Sequence, residues 1–236
     1  RFNASVERFE MLKEKLERKG TFNPQQAEKF SELEQQFKFK AMKSHELPVK
    51  TLPSCEENPF IIYLVRDGRD ALVSTAHHRK DIVKPGSDFK KNLKEAIKAK
   101  MGTYFGGWGY NVEEWLKIAH VVFRFEDFIK NPVEHTEKLR QFISLPEPDL
   151  NKVPTFESQK SGEAHFGGQA RQKLSEQEQQ EFNNKFFRKG KVGGWKDDMP
   201  EDIHDLFWKK YEGTMEKLGY RYDGSIADKI PGDITS

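Results

Sequence analysis

Residues 58–78 read NPFIIYLVRDGRDALVSTAHH, and this stretch decides the fold class. Its first part, from Phe60 to Val65, is a continuous apolar run of the kind found in strands that are buried on both faces of a parallel sheet. An Asp-Gly dipeptide then predicts a turn, and Asp70 can cap a helix that carries Ser74. The pattern therefore places Arg66 at the carboxyl end of a strand, where open α/β sheets bind their ligands.

The rest of the chain continues this alternation. Val121 to Phe125 is a second buried strand, and acidic residues follow it. Apolar residues at helical spacing predict further helices at about 88 to 101, through Trp115, from Asn131-Pro132 onward, from Ser175 to Phe187, and at about 201 to 218. Strands that alternate with helices predict an α/β fold, a mainly parallel β-sheet flanked by helices.

The amino-terminal part of the chain follows a different pattern. Residues 5–19 and the segment after them each place apolar side chains on one helical stripe, which predicts a charged helical hairpin. Phe37 to Ala41 alternate as a short strand does. Since no shift in composition marks a boundary within the 236 residues, we predict a single domain with a hairpin insertion at residues 1–38, a core at 39–220 and a tail at 221–236.

Composition narrows the classes of function. The 40 basic and 38 acidic residues leave a net charge of only +2, which argues against a general nucleic-acid binder, because a preference for polyanions would have to come from a local cluster. No apolar run approaches the roughly 20 residues of a membrane span, and no signal-peptide pattern is present. The single cysteine, Cys55, fits a reducing compartment. We therefore expect a cytoplasmic protein without membrane contact.

A second informative stretch is FFRKGKVGGWK at residues 186–196, where cations lie among three glycines. Arg188 and Lys189 can grip a phosphate, since a guanidinium matches phosphate geometry and glycines let backbone N–H groups approach the anion. The same residues also fit an ordinary helix C-cap with Gly190 in the left-handed conformation. The stretch alone does not decide between the two interpretations.

Three other residues have both a functional and a plain interpretation. Arg66 can be an ion-pair partner of the neighbouring aspartates, and Ser74 can be a surface serine, but both follow the strand end where a ligand would bind. His45, within KSHE, is either a solvated loop residue or a general base, because the pKa of imidazole lies near neutral pH.

Taken in order, five motifs resemble the cytosolic-type sulfotransferase family. They are MKSHELPVKTLP, IIYLVRDGRDALVS, GGWGYNVEEWL, FRFEDFIKNP and FRKGKVGGWK, and the resemblance covers about residues 39–220. It implies a P-loop-containing nucleotide hydrolase-like fold. It also implies transfer of a sulfuryl group from 3′-phosphoadenosine 5′-phosphosulfate (PAPS) to a hydroxyl or amine of a small-molecule acceptor, with 3′-phosphoadenosine 5′-phosphate (PAP) as product and no metal.

The resemblance implies a role for each matching residue. The residues implied to bind the 3′-phosphate of the nucleotide are Arg66, Ser74, Arg188, Lys189 and the Gly190 backbone. The adenine would lie against Phe125, where the family usually has a tyrosine, and against Phe156. His45 is implied as the catalytic base that takes the proton of the acceptor, and Lys43 would stabilise charge on the transferring group.

Two features depart from the family pattern. The phosphosulfate loop, of the type P-K-S/T-G-T-x-W, is absent from the 236 residues, and so is the Walker pattern. The loop belongs upstream of Arg1, so we expect that it was omitted from this sequence and that the fold here lacks its first strand and P-loop. The dimer motif of some animal members, K-x-x-x-T-V-x-x-x-E, is not matched either, which leaves the oligomeric state open.

Other functions and the nature of the acceptor also stay open. A catalytically silent nucleotide-binding or interaction protein would keep the 3′-phosphate contacts without the phosphosulfate loop, whereas the low net charge disfavours an RNA-binding surface. The acceptor is expected to be set by loops at residues 77–110 and 157–173. The aromatic residues there suit an apolar or aromatic acceptor, and simple packing explains them as well. They are Tyr104, Phe105, Trp108 and Phe166.

Overall fold

The structure is a computed structural model that describes residues 43–55, 59–101, 106–143, 145, 147, 150, 175–186 and 191–231. The chain divides into two compact units, residues 1–58 and residues 59–236, and each is described by itself. The predicted helical hairpin and the short strand before residue 42 lie outside the described residues. The assignment of the whole chain to one domain stays a prediction.

Among the described residues of the larger unit, two parallel strands form a sheet. Strand β1 spans Ile62–Val65 and strand β2 spans Val121–Arg124, with Ile62 opposite Val121 and Val65 opposite Arg124. Because the strands are parallel, the chain crosses over between them in helices and both strands end at the same edge. The predicted α/β architecture is confirmed. The second strand ends one residue earlier than predicted, because Phe125 already belongs to a helix.

The other regular elements of the described residues are helices. In chain order they are α1 (Pro48–Thr51), α2 (Gly68–His78), α3 (Phe89–Lys98), α4 (Trp108–Leu116), α5 (Phe125–Phe128), α6 (Pro132–Leu139), α7 (Glu176–Phe186), α8 (Trp195–Asp198) and α9 (Glu201–Lys217). A 3₁₀ turn at Leu52–Ser54 follows α1, and a π-helical turn at Arg79–Val83 extends α2. None of the helices in the described ranges is both long and apolar enough to cross a membrane.

The capping chemistry in the sequence correctly predicts the start of α7 but not that of α2. The predicted capping box at α7 is present, since the Glu178 carboxylate accepts the Ser175 N–H at 2.9 Å and the Ser175 hydroxyl at 2.7 Å. At α2, however, Asp67 is the cap, and its carboxylate accepts the N–H of Arg69 at 2.8 Å. The prediction that Asp70 caps this helix is wrong, because Asp70 lies within the first turn.

The sheet is covered unequally on its two faces. On one face, Val65 and Val122 pack into the larger core with side chains of α2, α3, α4, α8 and α9. On the other face, Val121 and Phe123 of β2 pack with Leu139 of α6. The β1 side chains of that face, Ile62 and Leu64, are 41% and 50% exposed. The prediction that β1 is buried on both faces is therefore wrong, because this second cluster includes neither side chain.

Candidate functional site

The residues that follow the two strands meet at the carboxyl edge of the sheet. Val65 of β1 pairs with Arg124 of β2, so Arg66 and Phe125 come next on adjacent strands. The guanidinium carbon of Arg66 lies 5.1 Å from the centroid of the Phe125 ring, which is a cation–π arrangement. The structure therefore brings together two residues that the sequence placed at one site.

The hydrogen-bonding capacity of Arg66 is only partly used. Its Nη2 lies 3.4 Å from the carbonyl oxygen of Lys191 and 3.5 Å from Oδ2 of Asp70, and both distances exceed the ~2.9 Å of a typical N–H···O bond. Its Nε is buried and has no hydrogen-bond partner among the described residues. The side chain as a whole is 31% exposed. A planar cation with unused donors at this edge fits a phosphate group.

Lys191 directly follows the predicted phosphate-binding run in the sequence. Arg188, Lys189 and Gly190 lie outside the described residues, and so does Phe156. The described part of this segment, from Lys191 onward, reaches the sheet edge through the contact with Arg66. It is also fixed to α2, because the Asp70 carboxylate accepts two of its backbone N–H groups.

Helix α2 carries Ser74, a predicted site residue, one turn after Asp70. Asp70 and Ser74 lie four positions apart and so share a face of the helix. Asp70 is buried, with a side chain only 2% exposed, whereas Ser74 is exposed. Burial raises the pKa of Asp70, while the charge of Arg66 and the two backbone donors act in the opposite direction.

A buried ion pair holds the start of α2 in place. Arg69 is fully buried and donates to the Asp67 carboxylate, with the shortest distance at 2.8 Å. It also donates to the carbonyl oxygens of Arg221 and Tyr222, at 2.9 Å each. Its guanidinium lies 4.1 Å above the ring of Trp195. These contacts compensate the buried charge of Arg69. Without them, burying the guanidinium would be strongly destabilising.

A buried acid joins this helix start to the second strand. Glu126 follows Phe125, and its carboxylate accepts the Asp67 N–H at 2.9 Å and the Tyr220 hydroxyl at 2.7 Å. Burial raises the pKa of Glu126, and the two hydrogen bonds oppose that shift. Glu126 thereby fixes the end of β2 relative to the start of α2. The sequence showed acidic residues after this strand but gave no sign of their long-range partners.

The segment around His45 belongs to the smaller unit. The Ser44 hydroxyl lies 2.8 Å from the Thr51 hydroxyl and accepts the Glu46 N–H at 3.0 Å. His45 is exposed, yet the protein atoms packed around part of its ring lower its pKa; the Lys43 charge lowers it further, and Glu46 raises it. The imidazole is therefore mostly neutral at pH 7, as a general base must be.

Trp108, one of the aromatic residues considered for the acceptor, has a packing role. Its indole Nε1 donates to the carbonyl oxygen of Arg66 at 3.1 Å, and its ring packs on Phe207 and Tyr211 of α9. This hydrogen bond helps to hold the backbone of Arg66 in place. The other aromatic candidates, Tyr104, Phe105 and Phe166, lie outside the described residues.

Comparison with known proteins shows the family of the chain. The model of the sulfotransferase domain family matches residues 2–219. The chain belongs to the sulfotransferase family. This confirms the family and the fold class predicted from the five motifs. As a sulfotransferase relative, the chain is 29% identical to flavonol 3-sulfotransferase of Flaveria bidentis over 190 residues, which cover 70% of the chain and 59% of that protein.

Other sulfotransferases give a similar result. Sulfotransferase 1A1 of Rattus norvegicus is 26% identical over 196 residues, covering 77% of the chain and 64% of that protein. The chain therefore spans about three fifths of the length of these curated sulfotransferases. A solved structure, mouse sulfotransferase SULT7A1 complexed with PAP, superimposes with a TM-score of 0.51 over 66% of this chain and 58% of that one, at 22% identity. This similarity supports the sulfotransferase fold.

Proposed function

We propose that the protein transfers a sulfuryl group from PAPS to a hydroxyl or amine of a small-molecule acceptor. The observation that carries this proposal is the position of Arg66. Its guanidinium lies at the carboxyl edge of the sheet, over the Phe125 ring and against the carbonyl of Lys191, with a buried Nε that lacks a partner among the described residues. A doubly charged phosphate would satisfy these donors, and an adenine would find an aromatic face beside them.

Each predicted site residue has a role in this proposal. Arg66, Ser74, Arg188, Lys189 and the Gly190 backbone bind the 3′-phosphate of the nucleotide. Ser74 suits this role because its exposed hydroxyl lies on the same side of α2 as Asp70, one turn further along. The adenine packs against the rings of Phe125 and Phe156.

The transfer step needs a base and compensation of negative charge. Neutral His45 takes the proton of the acceptor hydroxyl or amine, and the acceptor atom then forms a bond to sulfur while the bond from sulfur to the phosphate oxygen breaks. The electron pair of the broken bond stays on the phosphate of PAP. Lys43 compensates charge on the transferring group. The lowered pKa of His45 supports this role, because it increases the neutral fraction at pH 7.

Ligand-induced stabilisation tests the nucleotide part of the proposal. Adenosine 3′,5′-bisphosphate should raise the Tm of the protein more than AMP does at equal concentration, because only the former has a 3′-phosphate; ligand at 100 times its Kd stabilises by about 2.7 kcal/mol. Arg66→Met should remove most of that difference, since a hydrogen bond to a charged group contributes roughly 1.5–3 kcal/mol. Equal stabilisation of the wild type by both nucleotides would refute the proposal.

A transfer assay tests the chemical part. Because activity requires the upstream phosphosulfate loop, the assay uses the protein expressed from the complete gene. With PAPS and a panel of phenols, alcohols and amines, His45→Ala in that protein should abolish sulfuryl transfer and leave the affinity for PAP nearly unchanged. Unchanged turnover would refute the assignment of His45. If the wild-type protein binds the bisphosphate selectively but transfers nothing to any acceptor, the catalytically silent nucleotide-binding protein becomes the better description.

A further inference from the structure

We infer that Asp70 is a positioning residue that fixes the segment from Lys191 onward against helix α2, and thereby determines selectivity for the 3′-phosphate. This inference rests on the proposed function. It assigns a role to a carboxylate that touches neither the nucleotide nor the transferring group. In the sequence, Asp70 looked like an ordinary helix cap.

Both oxygens of Asp70 are engaged by the main chain of that segment. Oδ2 accepts the Gly193 N–H and Oδ1 accepts the Trp195 N–H, each at 2.8 Å. The same Oδ2 lies 3.5 Å from Nη2 of Arg66. Asp70 therefore connects the predicted phosphate-binding arginine of the sheet edge with the segment that follows the predicted phosphate-binding run.

The backbone of the segment is shaped to receive an anion. Gly193 has a φ of +73°, in the left-handed region, and Gly194 is right-handed helical with φ −63° and ψ −16°. Successive N–H groups in such a turn converge and form a concave anion site. Asp70 fills this concavity. The N–H groups of Gly193 and Trp195 are consequently not free to bind a nucleotide phosphate.

The position of Asp70 beside Arg66 should weaken the binding of a phosphate to that arginine. A carboxylate within 3.5 Å of Arg66 repels a phosphate bound to the same guanidinium. The two N–H donors partly compensate that charge, and we expect the fixed position of the segment to outweigh the repulsion. If repulsion dominates, removing the Asp70 charge should raise the affinity for the bisphosphate. If positioning dominates, it should lower that affinity.

Asp70→Asn separates these two effects. The amide is nearly isosteric, but it removes the negative charge and turns an NH₂ group toward one of the two backbone donors. If Asp70 acted only through its charge, the variant would bind adenosine 3′,5′-bisphosphate more tightly. We expect instead that the Kd for the bisphosphate rises about tenfold while the Kd for AMP changes less than about twofold, as measured by titration calorimetry.

A matched control uses a carboxylate elsewhere in the same unit. Asp202, in the first turn of α9, is 69% exposed and forms a salt bridge with Lys94. The selectivity ratio is the Kd for AMP divided by the Kd for the bisphosphate. Asp202→Asn should leave this ratio unchanged. If Asp70→Asn does not fold, Gly193→Ala tests the same contact, since its Cβ would meet no atom within 4 Å and only the positive φ is strained. It should also reduce the ratio.

The outcomes distinguish the two proposals. A wild-type protein without preference for the bisphosphate overturns the proposed function, and the role of Asp70 with it. A selective wild type whose Asp70→Asn and Gly193→Ala variants keep the full ratio overturns only the role of Asp70, even if both variants lower the Tm, because that result describes a merely structural contact. Tighter binding of the bisphosphate by Asp70→Asn also overturns it.

Discussion

Arg66 and Arg69 lie three positions apart in one motif, and their environments are opposite. Arg69 is fully buried, and its donors are used by a carboxylate and two carbonyl oxygens. Arg66 is partly exposed, and its contacts are long. The sequence predicted that Arg66 follows the end of a strand, and β1 does end at Val65. The sequence could not identify Arg69 as structural, because two of its acceptors, the carbonyl oxygens of Arg221 and Tyr222, lie 152 and 153 residues away along the chain.

A pH-dependent stability is expected from Glu126. Its pKa is raised in the folded state, so its contribution to stability is fully present below the unfolded value of about 4.3 and is lost as the pH rises through the folded pKa. Glu126→Gln cannot ionise and lacks this dependence. The Tm of the wild type minus that of Glu126→Gln should therefore fall between pH 4 and pH 7.5.

Glu178 supplies the contrast for this measurement. Hydrogen bonds from Ser175 lower its pKa, so its contribution is present above the unfolded value and is lost as the pH falls. Its carboxylate is exposed, and the effect is consequently small. The Tm difference between the wild type and Glu178→Gln should rise slightly over the same pH range. If the Tm difference between the wild type and Glu126→Gln also rises with pH, the raised pKa of Glu126 would be contradicted.

At the scale of elements, local patterns predicted most of the helices and both strands. Capping residues and apolar spacing are local properties, so the sequence placed α3, α4, α6, α7 and α9 close to their observed bounds. Strand β1 shows where this reasoning fails, because exposure of Ile62 and Leu64 depends on which other elements reach that face. The wrong cap at α2 has the same origin, since Asp70 is engaged by a segment distant in sequence.

Two helical glycines give a prediction at this scale. A Cβ on Gly109 of α4 would lie 2.5 Å from the Tyr211 ring of α9, whereas a Cβ on Gly213 of α9 would meet nothing within 4 Å. Gly109→Ala should destabilise the protein by about 1–3 kcal/mol through overpacking. Gly213→Ala should stabilise it by about 0.5–1 kcal/mol, because alanine favours the helix.

Urea denaturation of the two glycine variants beside the wild type measures both effects. The shifts of the denaturation midpoint should have opposite signs. Equal shifts, or a stabilising Gly109→Ala, would mean that α4 and α9 do not pack as closely as the structure shows.

For the larger unit as a whole, the carboxyl-terminal residues contribute to the core. Residues 221 and 222 supply the carbonyl oxygens that Arg69 binds. Arg124, only 1% exposed, donates to the carbonyl oxygens of Leu218 and Asp228 at 3.3 and 3.4 Å. A short antiparallel bridge between Tyr220 and Ile226 fixes this return of the chain. The sequence contained no periodicity in this region from which such contacts could be predicted.

Truncation tests this contribution. Ending the chain after Tyr220 removes three carbonyl acceptors of the two buried arginines, and each buried donor left unsatisfied costs about 1–3 kcal/mol. The shortened protein should lose most of its cooperative unfolding transition, as measured by thermal denaturation. Ending the chain after Pro231 keeps all three acceptors and should leave the Tm close to that of the full chain. Equal Tm values for the two truncations would contradict the prediction.

The contacts of Asp70 have a consequence for how such a site can be re-engineered. Because the Asp70 carboxylate accepts main-chain N–H groups, we expect these contacts to persist when the Lys191 and Val192 side chains are exchanged. Ligand preference can therefore drift, or be redesigned in a mutant library that varies the preceding residues, without loosening the attachment of the loop. Directed evolution toward other phosphorylated donors should accordingly keep Asp70 and Gly193 constant and randomise their upstream neighbours.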